Sequence, residues 1–397
     1  MRVHPRVSPQ ASLPLNAMAL RTLSGKHIDP SHERAGVPYK GRGAAINPEG
    51  RFEKVEREAF DDGWSHDESD DRRALKTVIT EEKAASIISR NQSPDIPFTQ
   101  SINPYQGCEH GCIYCYARPT HAYRNLSPGV DFETRIFAKV NAAELLRKEL
   151  SKPGYKCEVI SLGANTDPYQ PAERKFNITR SILQVCAEFH QPLSIITKNA
   201  LVERDLDILV PMARKNLVNV FLSVNSLDHE IARRLEPRCV APARRIEAIR
   251  TLAQAGVPVG VLVAPVIPFL TDDQIEAVLE AAHAAGATQA SYVIMRLPYE
   301  VKTLFRDWLE RHYPLKAKHV MSRVHALRGG RDNDPNFGSR MRGQGEFAEL
   351  LSKRFAIAKR RIGYEARDRM LRNATLDTSL FRVPMIADAV ANQLSLF

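Results

Sequence analysis

From about residue 96 onward, short apolar runs alternate with longer stretches of helical period. The runs fall at 98–102, 158–163, 193–197, 218–224, 257–264 and 289–295. Each is short enough for a strand. Helix-like segments lie between them at 141–150, 179–189, 205–215, 243–255 and 272–285. The glycine of AQAGVPVGV suits a helix end just before a strand, and the aspartates of FLTDDQIE suit a helix start. This alternation predicts an α/β fold, a parallel sheet with helices outside. Such a sheet is either a barrel or doubly wound; six strands make a partial (β/α)6 TIM-type barrel, and active sites on such sheets sit at the C-terminal strand ends.

The flanks read differently. Residues 1–95 are rich in Pro, Gly and Arg and predict an irregular arm with one short helix over 69–87. After residue 300 the strand rhythm stops. A helix at 300–313 leads into a glycine-rich loop, RGGRDNDPNFGSRMRGQG, then a basic helix over 346–362 and a polar tail. The chain therefore divides into an arm (1–95), a core (96–300) and a basic extension (301–397). It has no apolar run long enough to span a membrane. Pro5, Pro9 and Pro14 interrupt any secretory core near the start. These features predict a cytoplasmic protein with no membrane contact, whose six cysteines are thiols or metal ligands.

Charge adds a second theme. The net charge is +10, and residues 311–372 hold 16 Lys and Arg against 6 Asp and Glu, a difference equal to the whole excess. Arg323, Arg328, Arg331, Arg340 and Arg342 surround the glycine-rich loop. Such a block suits contact with a polyanion such as DNA, and equally a solvated helix face. With few aromatics here, contacts would go to phosphates and depend on salt.

The strongest chemical signal is NPYQGCEHGCIYCYARPTH. Cys108, Cys112 and Cys115 have C-x3-C-x2-C spacing, and Pro104, Gly107 and Gly111 argue against a regular helix. A glycine-rich loop can bring three thiolates to one centre. Three thiolates hold a four-iron, four-sulfur cluster with one iron left open, whereas a closed cluster takes four. Two alternatives stay open at this point. One is structural zinc, with His110 or His121 as fourth ligand; the other is a redox pair, Cys112 and Cys115. Cys157, Cys186 and Cys239 stand isolated and read as small buried apolar residues.

The later strands end in polar residues: Asn165, Thr166 and Asp167 after the second, Thr197 and Lys198 after the third, Ser223 and Asn225 on the fourth, and Arg296 after the sixth. Singly, each could be a turn or cap residue. Together they form a polar ring above the cysteine loop.

The cysteine loop, with Tyr114 just before its third cysteine, resembles the signature of the radical S-adenosylmethionine (SAM) superfamily. TDPYQPAE, TK, SVNSLD, LEPR and APVIPFLTD extend the resemblance over about 98–300 to the spore photoproduct lyase-related branch. It implies a [4Fe-4S] cluster on Cys108, Cys112 and Cys115, with Tyr114, Asn165, Asp167, Lys198, Ser223 and Asn225 around SAM. Lys198 and Ser223 match residues that hold the SAM carboxylate in that lyase, a sensible pairing for a cation and a hydroxyl. It further implies reductive cleavage of SAM to a 5′-deoxyadenosyl radical, fed by an electron donor such as flavodoxin or ferredoxin. The lyase's hydrogen-donor cysteine falls near Asn165 here, and Cys157 sits at the strand's start, so thymine-dimer reversal by that route is not implied.

The last residues, Gln393, Leu394, Ser395, Leu396 and Phe397, resemble the peptide by which bacterial repair proteins dock on the replicative sliding clamp. With the basic block, this favours a radical SAM enzyme acting on DNA in a repair-like lyase reaction. Modification of a protein or RNA, or a non-catalytic zinc or cluster module that binds nucleic acid, are the alternatives.

Overall fold

Six of the apolar runs become the parallel frame of one sheet. The computed structural model describes residues 39–52, 75–364 and 376–384, and all belong to one unit, Ala35–Phe397. The parallel strands are β3 (Gln100–Ile102), β6 (Ile160–Leu162), β7 (Leu193–Thr197), β8 (Val218–Ser223), β9 (Val259–Val266) and β10 (Gln289–Ile294). Each pairs with the next in register, Leu162 beside Ile195 and Ile195 beside Val220. β2 (Ile88–Arg90) closes one side antiparallel to β3, giving the order β10-β9-β8-β7-β6-β3-β2. The two edge strands do not pair, so the sheet is the open, partial (β/α)6 barrel expected.

The helices follow the same logic. α2 (Ala142–Leu150), α4 (Ile178–Phe189), α5 (Leu206–Arg214), α7 (Pro242–Gln254) and α8 (Ile275–Ala284) cover the outside of the sheet. In α4 the residues Ile178, Ile182, Val185, Cys186 and Phe189 recur at helical spacing and are buried. Leu162, Ile195, Val220 and Val261 meet them from the strands with no exposed surface. Truncating any one of these to Ala would cost about 2–5 kcal/mol. Between the main elements lie the single turns α1 (Asp131–Thr134) and α3 (Glu173–Phe176), and the short α6 (His229–Leu235). Asp228 caps α6 by accepting from Glu230 N and Ile231 N.

One expectation is corrected. Within the stretch 69–87 the described residues are not helical: Val78–Glu82 form β1, parallel to β5 (Arg135–Lys139), with β4 (Tyr105–Gln106) antiparallel on the other side of β5. Val78, Ile79 and Thr80 are all β-branched, which favours a strand. The first part of that stretch, through residue 74, lies outside the described residues.

Beyond the sheet come α9 (Val301–His312), α10 (Pro314–Leu327), α11 (Ser339–Arg342) and α12 (Glu346–Ile362). α10 was not foreseen under its basic composition; Val320, Met321, Val324 and Leu327 bury its inner side. α9 adds Leu304, Phe305, Trp308 and Leu309 to a second core that also contains Cys112, Ile113 and Tyr114. Much of the basic stretch is internally engaged. Arg328 is 1% exposed and donates to the carbonyls of Ile294, Met295, Ser339 and Arg340. Arg340 pairs with Asp95 at 2.6 Å, Arg354 with Glu276 at 2.8 Å and Arg361 with Glu280 at 2.6 Å. Residues 376–384 strap the opposite end of the sheet: Arg382 N donates to Phe189 O, and Phe381 packs on Tyr155 and Phe189. Among the described residues no helix is long and apolar enough to cross a membrane. The clamp-like tail, Gln393 to Phe397, lies outside the described residues.

Candidate radical SAM site

The cysteine loop leaves β4 at the C-terminal end of the sheet. Gly107 and Gly111 have φ of 81° and 69°, a region that favours glycine. At Gly107 a Cβ would meet His121 and Ile136 at 2.9 Å, so the turn has no room for a side chain. This path buries Cys108 and Cys112 and leaves Cys115 partly exposed.

Three groups of residues hold the loop. Beneath it, Thr166 Oγ1 donates to Gly107 O at 2.7 Å. Gln170, fully buried, accepts from Glu109 N at 3.0 Å and donates to Gly107 O at 3.3 Å, bracketing Cys108. Beside it, Arg118 Nε donates to Cys112 O, and its guanidinium meets Glu133 at 2.5 Å in a fully buried ion pair. The arm supplies the third group: Gly43 N and Ala44 N both donate to the Glu133 carboxylate at 2.9 Å, and Arg42 donates to Glu133 O. The sequence offered no chemistry for this arm, and the roles of Glu133 and Gln170 also went unread. Gln170 was present in TDPYQPAE, but nothing in that motif says which way its amide turns.

The thiols respond to one another. Burial pushes the Cys115 thiol up to about 12, helped by the nearby Cys112 and Cys108. Three mutually repelling sulfurs with one partly open side fit a cluster, whose irons would take up that charge. Among the described residues no three His, Cys, Asp or Glu side chains close around a single-ion position. His110 Nδ1 instead lies 3.3 Å from Asp167, and His121 packs on the ring of Phe132. Cys239 is not the isolated residue expected: its Sγ is 3.9 Å from Cys112 Sγ. Chain separation hid this contact. The hydrogen bond with Cys239 lowers the Cys112 thiol, overcoming burial.

The strand-end residues divide by direction. Asp167 turns inward, taking Thr197 Oγ1 at 2.7 Å, Lys198 N at 2.8 Å, Tyr169 N at 2.9 Å and His110. Burial alone would raise its carboxyl; the His110 charge and these bonds outweigh that and hold it at about 2. Asp167 thus ties two strand ends to the cysteine loop. Tyr114 also turns inward, donating to Glu236, which in turn pairs with buried Arg245. Asn165 is exposed, its backbone N held by Asn103 Oδ1. Burial would lower the Lys198 ammonium, but Cys112, Glu236, Cys239 and Asp167 keep it above its ordinary value. Ser223 is buried, and Asn225 is fully buried with both amide atoms unpartnered. Such an orphaned pair costs about 1–3 kcal/mol per group unless a ligand satisfies it. This leaves a free donor and acceptor two residues along from Ser223, available to a polar ligand.

The sequence comparison agrees with this geometry. Residues 102–282 match the radical SAM superfamily. The cofactors of that superfamily, a [4Fe-4S] cluster and SAM, are therefore those of this domain. An uncharacterised protein of Mycobacterium tuberculosis strain H37Rv is 39% identical over 221 residues, 55% of this chain and 65% of the relative, so the chain spans less than two thirds of that relative's length. An uncharacterised protein of Methanocaldococcus jannaschii is 28% identical over 242 residues, 60% of this chain and 85% of that one. Among solved structures, a mutant of spore photoproduct lyase is similar at a TM-score of 0.53 and 15% identity, covering 75% of this chain and 83% of that one. The same lyase complexed with dinucleoside spore photoproduct gives 0.52 and 14%, covering 72% and 79%. At these identities the likeness shows the fold.

Proposed function

We propose that this protein is a radical SAM enzyme that reductively cleaves SAM and uses the product radical on DNA, in a repair-like lyase reaction. The observation carrying the substrate half is Arg296. It follows β10 at the mouth, with its guanidinium 5.9 Å from the ring of Tyr116, the half-exposed residue after Cys115. Its Nε is buried without a hydrogen-bond partner, and no described carboxylate lies within ion-pair distance. Burial, then Arg340, lowers its pKa. A half-buried cation with no ion pair of its own among the described residues, its acid neighbour Asp95 being paired with Arg340, and set beside an aromatic ring, favours an anionic and planar substrate such as a nucleotide.

When bound, the cluster and SAM supply one-electron cleavage of a carbon–sulfur bond and a radical able to abstract hydrogen. The chain's own residues do the rest. Cys108, Cys112 and Cys115 hold the cluster; Lys198, Ser223 and Asn225 orient SAM; Asp167, Gln170 and Glu133 fix the loop; the second core behind Cys112 and Tyr114 keeps water out. An external electron donor completes the reaction.

The test is anaerobic reconstitution followed by a dithionite assay for 5′-deoxyadenosine, with and without damaged DNA, in wild type and Cys112→Ala. Product in wild type alone, increased by DNA, is expected. Product that DNA leaves unchanged would remove the substrate half, and no product would remove the activity.

A further inference from the structure

Cys239 lies 127 residues beyond Cys112, in the turn after α6, and the two sulfurs are 3.9 Å apart. That turn is sewn to the cysteine loop on both sides of Cys112. Arg238 N donates to His110 O at 3.2 Å, and Ile113 N donates to Leu235 O at 3.1 Å. Arg238 also reaches Glu109 at 3.2 Å, and Cys239 N donates to Glu236 O at 3.1 Å. Glu236 is itself held by Tyr114 and Arg245. The sulfur contact is thus set by paired backbone, with little freedom left to the two short side chains.

The direction of the contact follows from its chemistry. A cluster ligand is a thiolate and offers only lone pairs. A cysteine that ligates nothing keeps its S–H, a weak donor. The contact can therefore run only from Cys239 to Cys112. Hydrogen bonds to ligand sulfurs are among the levers that set a cluster's reduction potential. A donor stabilises the more negative, reduced cluster more than the oxidised one.

We infer that Cys239 donates an S–H···S hydrogen bond to Cys112 and so makes the cluster easier to reduce. The inference rests on Cys112 being a cluster ligand and deepens the proposed function at its electron-entry step.

The full-length chain would be reconstituted anaerobically without SAM, and the midpoint potential measured by an EPR-monitored titration, with iron and sulfide assayed separately. Cys239→Ala should load iron as wild type does but shift the reduction equilibrium about tenfold toward the oxidised cluster, ~59 mV for a one-electron couple. Cys239→Ser, which keeps a donor, should restore most of the shift. An unchanged potential in Cys239→Ala would overturn the inference, as would equal shifts in Ala and Ser, which would point to volume instead. A Cys239→Ala chain that binds no iron would overturn it too, because a donor to an assembled cluster is not needed to build one. Full iron in Cys112→Ala would make Cys239 a replacement ligand and also overturn it. The underlying cluster assignment fails separately, if Cys108→Ala and Cys115→Ala keep their iron.

Discussion

Gly43 lies so close to Gly111 that a Cβ on Gly43 would fall 1.8 Å from the Gly111 carbonyl oxygen. The arm therefore reaches the cysteine loop backbone to backbone. Gly43→Ala must push the two apart and weaken the bonds from Gly43 N and Ala44 N to Glu133. We expect a loss of about 1–3 kcal/mol in stability and a clear drop in iron bound per chain after reconstitution. Wild-type iron content would show that the arm does not hold the loop.

Asn225 offers a buried amide with nothing to bond. Asn225→Leu should leave thermal stability unchanged or slightly raised, because it removes an orphaned polar group. SAM affinity of the iron-loaded protein should fall about tenfold to a hundredfold, the equivalent of ~1.5–3 kcal/mol. Equilibrium dialysis would read the change, and an unaltered affinity would place SAM elsewhere.

Arg328 ties the end of β10 to the loop around α11 through four carbonyls. Arg328→Met matches its length but leaves those carbonyls without their donor. A loss of about 3 kcal/mol or more is expected, visible as a lower Tm. If Tm holds, water or a local shift has replaced the guanidinium.

His121 predicts a pH dependence. Burial lowers its pKa from 6.5 to about 4, with its Nε2 donating to Arg135 O. Between those values the unfolded chain binds a proton that the folded chain refuses. Its contribution to stability is therefore present above pH 6.5 and is lost as the pH falls toward 4. Urea midpoints at pH 7 and pH 5 should differ more in wild type than in His121→Phe. Equal differences would mean the acid sensitivity arises at other groups.

The main sheet was legible because parallel strands covered on both faces are short and mostly apolar. β7 falls on the same residues the pattern marked, 193–197. β1 was not legible, because an edge strand with alternating exposure and two glutamates has no such run. The three loop cysteines could be read from local spacing. Their support could not, because Glu133, Gln170 and Cys239 reach them across chain distances that leave no local trace. Asp167 was visible as a polar strand end, yet only the structure shows it facing His110. The basic extension misled in the opposite way: composition counted Arg328 and Arg340 as surface charge, and the fold places them against carbonyls and Asp95.

The clamps on the cysteine loop also carry a consequence for the order of assembly. Ala44 meets Glu133 across 89 residues, Glu109 meets Gln170 across 61, and Cys112 meets Cys239 across 127. Contacts of such span close late, since each must first overcome the entropy of the intervening chain. The loop therefore reaches its final shape only after β8 and α6 have docked. Iron and sulfide are then delivered to a barrel already folded, and the nascent loop, with its thiols unguarded, is the stage most exposed to oxidation.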